Sequence, residues 1–158
     1  MNLQMVDPPP DTASLLAGAQ FADAFAVEIE GRALDARSAA QRMMGRSPRW
    51  IDALLRLRNV LVMPFGLKTS GKGETPPRET IGLFPVLTET SDRLVAGFND
   101  RHLDFRVVVD VMATGLGGQQ VTATTLVKTH NRLGRIYLAL ILPFHRLIVP
   151  AMLRQIAG

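Results

Sequence analysis

Two short stretches of this chain hold side chains whose type and setting suit chemistry. The first is Phe21-Ala22-Asp23-Ala24-Phe25, where a carboxylate alternates at period two with two aromatic rings. In a strand that alternation turns Asp23 toward the same apolar side as Phe21 and Phe25. A carboxylate there is costly unless paired, so it calls for a partner or a task. The plainer account is a structural hydrogen bond to loop backbone or to an arginine. The second stretch surrounds His145, which lies between Phe144 and Leu147 in an otherwise apolar segment. One carboxylate or one imidazole in a dry pocket suffices for general acid–base work. The other histidines, His102 and His130, read as surface or hydrogen-bonded residues. All three are far apart, with no Glu or Cys at ligand spacing, so neither a metal site nor another cofactor is expected.

Other motifs fail on their own chemistry. Gly66-Leu67-Lys68-Thr69-Ser70-Gly71-Lys72-Gly73 approaches a phosphate-binding loop. It ends on Gly73 where a magnesium-binding hydroxyl is required, and a helix pattern precedes it where a strand is needed. Gly115-Leu116-Gly117-Gly118 lacks dinucleotide-loop spacing and reads as a hairpin turn in which glycine supplies positive φ. The absence of cysteine and of a Gly-x-Ser-x-Gly elbow argues against covalent catalysis.

Composition narrows the class. With 158 residues, 47% of them hydrophobic, the chain can bury the core of one domain. A net charge of +4 is mild, and its dispersal argues for a solvated arginine-rich surface over a nucleic-acid footprint. Met1 to Asp11 has no basic or apolar run resembling a secretory signal, so a cytoplasmic address is the default expectation. Ile136 to Leu153 is interrupted by Pro143, His145, Arg146 and Pro150, and falls short of the ~20 apolar residues of a membrane span.

The elements follow from periodicity. A strand is predicted over Gln20–Ile29. Asp35 caps a short helix ending near Met44, with Gly45 as its stop. Ser47 and Pro48 open a second helix to about Met63, with Trp50, Leu54, Leu57 and Leu61 in one stripe. Residues 66–79 read as a mobile loop. Strands are expected at Ile81–Glu89, Arg93–Asn99, His102–Ala113 and Gln119–His130, and turns this short make them antiparallel neighbours. In the third of these, Leu103, Phe105, Val107, Val109 and Val111 share a face expected to bury against the last helix. His102, Asp104, Arg106 and Asp110 share a face expected to be wet. The final helix spans about Leu133–Ala157, bent by Pro143 and Pro150, with a seam of Tyr137, Ile141, Phe144, Ile148 and Met152. Residues 1–18 read as an N-terminal extension and 19–158 as a single α+β domain.

This order of elements resembles the START-like superfamily, also called helix-grip or birch-allergen-like, which includes polyketide cyclase and dehydrase relatives. Phe21-Ala22-Asp23-Ala24-Phe25 and Gly134-Arg135-Ile136-Tyr137 running to Pro143-Phe144-His145-Arg146 are closer still to a bacterial branch of it. The superfamily usually has six strands after the helix pair, and four are found here. The resemblance implies a cavity between a curved antiparallel sheet and the last helix, holding a small apolar or amphipathic molecule.

Three functions compete. The leading one is ligand binding, with Asp23, Phe25, Phe65, Phe84, Phe98, Phe105, Tyr137, Ile141 and His145 as the expected lining. The aromatic members would equally serve as core. The second is a non-covalent enzyme of cyclase or dehydratase type using Asp23 or His145. The third is an interaction module presenting Arg42, Arg46, Arg49 and Arg56 as a basic ridge to an acidic partner or membrane surface.

Overall fold

The fold rests on a computed structural model that describes residues 2–31, 34–44, 80–81, 84–99, 103–115 and 117–157. Its strands are β1 (Asn2–Val6), β2 (Phe21–Glu30), β3 (Thr80–Ile81), β4 (Phe84–Glu89), β5 (Arg93–Asn99), β6 (Leu103–Ala113) and β7 (Gly118–Thr129). Its helices are α1 (Thr12–Leu15), α2 (Ala36–Met44) and α3 (Arg132–Ala157). The strands form one antiparallel sheet in the order β1-β2-β7-β6-β5-β4-β3. Among the described strands, only the β2–β7 pairing joins distant parts of the chain; the rest is a meander. A curved antiparallel sheet gripping a long C-terminal helix is the α+β, helix-grip arrangement. The expected second helix (Ser47–Met63), Gly45, Arg46, Arg49, Arg56 and the loop 66–79 lie outside the described residues.

Local signals explain the boundaries. Asp35 accepts a hydrogen bond from the Ser38 amide at 2.8 Å, closing the first turn of α2. Asn131 does the same for α3, accepting from the Gly134 amide at 3.0 Å. Gly115 and Gly117 take φ of +81° and +78° in the β6–β7 turn, as that turn requires. Thr90 closes the β4–β5 hairpin, its hydroxyl oxygen accepting from the Arg93 amide at 3.1 Å. The run expected as one strand over Ile81–Glu89 is instead divided between β3 and β4, which pair with each other.

Register sorts the sheet into two faces. Val27 pairs with Val121, Val121 with Val111, Val109 with Leu94 and Val107 with Ala96, which places their side chains on one side. That side and the helices share a core completed by Ala36, Ala39, Ala40 and Met43 from α2 and by Val149, Leu153 and Ile156 from α3.

Three expectations are corrected here. The odd-numbered face of β6 is buried as expected, apart from a half-buried Phe105 and an exposed Ala113, but α2 covers it. Helix α3 lies over β2, β7 and β1, and along α2. The supposedly wet face is not open to water at its centre: Val108, Leu126, Ala24 and Ala26 are buried there. The chain ahead of β2 crosses this side, with Leu16 buried and Arg93 of β5 bonded to both Asp11 and Asp110. Ahead of that segment, Asn2–Val6 pair with β2 as the edge strand β1. Finally, the fully buried line of α3 is Val149, Leu153 and Ile156, while Tyr137, Phe144, Ile148 and Met152 are half-buried and Leu140 and Leu147 exposed. The seam is rotated by about one residue from the expected one.

Candidate functional site: a buried Asp–His pair between sheet and helix

Asp23 occupies the third position of β2, opposite Thr125 of β7, which in turn faces Val107 of β6. All three are buried on the helix side of the sheet. The adjacent row is Phe21, Val127 and Phe105, so the carboxylate is bordered by rings on one side. The row beyond is Phe25, Ala123 and Val109.

Helix α3 delivers His145 onto this position. Its Nε2 lies 3.1 Å from each oxygen of the Asp23 carboxylate. The aspartate side chain is 4% exposed and the histidine 12%. Against an ionised carboxylate, which can only accept, this contact is one that an Nε2–H would donate. The ring of Phe21 meets the imidazole edge-on, centroids 5.9 Å apart at 83°. Imidazole orientation is therefore fixed twice, by a carboxylate at one nitrogen and by an aromatic wall.

The bend of α3 bears on this placement. The helix axis turns by 54° between Arg132–Leu140 and Leu142–Ile156. Pro143 lacks the amide that would bond residue 139, and its ring crowds that carbonyl, which accounts for a kink just ahead of it. His145 is two residues beyond the proline, on the segment anchored by Val149, Leu153 and Ile156.

Of the residues expected to line a site, the structure unites Asp23 and His145. Phe25 and Phe105 are half-buried and packed against the core, and Tyr137 is half-buried on α3. All of Phe65, and the side chains of Phe84, Phe98 and Ile141, fall outside what the structure describes. Phe21 and Thr125 are the neighbours that sequence reasoning does not single out as site residues. Alternation within β2 already puts Phe21 on the side of Asp23, whereas the signal for Thr125 is the β2–β7 register, which alternation within one strand cannot supply. Among the described residues no group of three or more potential metal ligands occurs.

Residues 15–152 match DUF2867, described as a protein of unknown function, and the chain belongs to that family. No curated protein matches. Among solved structures, a conserved protein from Geobacillus kaustophilus is 12% identical at a TM-score of 0.40, covering 86% of this chain and 91% of its own. The lipid transfer and protein localization domain of human StarD13 is 14% identical at a TM-score of 0.27, covering 86% of this chain and 75% of its own.

Proposed function

We propose that this domain binds a small amphipathic molecule between the sheet and α3, with the ligand's polar end at Asp23 and His145. The supporting observation is the Asp23–His145 pair itself, a polar centre buried on a wall of Phe21 and Phe105. Binding sites for small molecules combine apolar walls with few, well-placed polar groups. The resemblance of the element order to START-like proteins favours the same reading, although fold alone does not assign an activity. Native mass spectrometry of the purified protein tests it. A bound small molecule is expected, and Asp23→Asn should lower its occupancy while the melting temperature moves little. A protein that carries no ligand from several expression hosts, and takes up none from a panel of fatty acids and aromatic polyketides, would sink the proposal.

One feature favours acid–base catalysis as a second reading. A carboxylate holding Nε2–H leaves Nδ1 as the position through which His145 would exchange a proton with substrate. Turnover of a bound ligand, abolished by His145→Gln with binding retained, would select this reading over simple binding.

A further inference from the structure

We propose that the outward face of α3 docks the protein onto an anionic phospholipid bilayer. Four residues of that helix, Ile136, Leu140, Pro143 and Leu147, follow the i, i+4, i+7, i+11 spacing of one helical face, two on each side of the bend, and all four are exposed. The three large ones are 51%, 54% and 61% exposed. They lie on the side of α3 away from Val149 and Ile156 of its buried line, so α3 is apolar on two sides, and the core uses only one. An apolar stripe of this kind on the surface marks a contact site.

Charge identifies the partner. Helix α3 contains Arg132, Arg135, Arg146 and Arg154 and no acidic residue. Its four charges equal the net +4 of the whole chain, whose remaining 14 basic and 14 acidic residues cancel. All four arginines are exposed. Arg135 and Arg146, eleven positions apart, share one flank of the stripe, and Arg132 and Arg154 stand at its two ends. An apolar line edged by cations fits the boundary between acyl chains and anionic headgroups. Antiparallel packing of two copies along the same stripe would instead bring Arg132 of one against Arg154 of the other. Nucleic acid would use the arginines and leave the stripe in water. Val149, Leu153 and Ile156 hold the inner side of α3 in the protein core, so only its outward face is free to meet a bilayer and the contact is with the surface.

Cosedimentation of the full chain with vesicles provides the test. The protein should sediment with phosphatidylcholine vesicles containing phosphatidylglycerol, should not with phosphatidylcholine alone, and should release as salt is raised. Arg135→Gln with Arg146→Gln should weaken binding by at least about tenfold, because each basic residue near an anionic surface contributes several-fold. Leu140→Gln with Leu147→Gln should weaken it comparably. Circular dichroism and melting temperature should stay as in the parent, since these side chains are exposed. No sedimentation with anionic vesicles overturns the proposal, as does equal binding to neutral ones. Undiminished binding by both double variants overturns it too. So does dimerisation that Leu140→Gln with Leu147→Gln abolishes in a protein that ignores vesicles, which would assign the stripe to a second copy.

Discussion

Asp23 and His145 are 122 positions apart in the chain, yet the histidine Nε2 is equidistant, at 3.1 Å, from both oxygens of the carboxylate. The contact ties α3 to β2 through two groups that each would be expensive to bury alone. Removing one partner of such a pair costs more than the pair contributes, because the other is left buried and uncompensated. His145→Ala should therefore destabilise the fold by about 3–5 kcal/mol in urea denaturation at neutral pH. Asp23→Asn keeps shape and an oxygen that can accept from Nε2–H, so its cost should be clearly smaller. Equal, negligible costs for both would mean that water replaces the lost partner.

Packing of α3 gives a second expectation. Leu153 is fully buried in the shared core, whereas Leu147, six positions earlier, is 61% exposed. Leu153→Ala should cost about 2–5 kcal/mol through lost transfer energy and a cavity. Leu147→Ala should stay within about half a kcal/mol. Similar losses at both positions would show that the outward face of α3 is covered in solution.

Much of this architecture is legible in the sequence, and what is not has physical causes. Asp35 announces α2 because capping is local. β5, β6 and β7 are visible because alternation is local too. The buried line of α3 is not, because nearly every non-arginine position in that helix is apolar, so periodicity cannot choose between the Ile148 and Val149 faces. Asp104, Arg106 and Asp110 give one face of β6 a wet pattern. Val108 between them is buried, and the segment that crosses this side, tied to it through Asp11 and Arg93, is far away in sequence. Strand β1 is only five residues, too short to announce itself. Asp23 and His145 each stand out by chemistry, but their meeting depends on where α3 crosses β2, which no local pattern encodes.

Gly97 makes a third prediction. It sits in β5 opposite Arg106 with φ of +151°. A Cβ built there would meet the Phe105 carbonyl oxygen at 2.1 Å, a backbone atom that cannot swing aside. Gly97→Ala must therefore push β5 from β6, with an expected loss of about 1–3 kcal/mol as for other overpacking changes. A thermal unfolding midpoint unchanged from the parent would contradict the close approach of these strands.

The last prediction concerns acid. Arg93 donates from Nε to Asp110 at 2.6 Å and from a terminal nitrogen to Asp11 at 2.5 Å, linking β5, β6 and the segment that covers the outer face. The hydrogen bond from Arg93 holds the Asp11 carboxyl below its ordinary value of 3.8. The native state therefore resists protonation at Asp11 more than the unfolded chain does. The resulting stability is complete above the ordinary value and disappears as pH falls through the lowered native one. Because the Asp11 side chain is 45% exposed, this gain is small and weakened by salt. Amide hydrogen exchange across residues 7–20 should consequently speed up below about pH 4 relative to the sheet centre, and Asp11→Asn should remove that difference. Arg93→Ala, which strands Asp110 as well, should cost about 1.5–3 kcal/mol at neutral pH against less than about 1 kcal/mol for Asp11→Asn. Exchange in residues 7–20 that ignores both pH and Asp11→Asn would show that Leu16 and β1, not the arginine, hold this segment to the sheet.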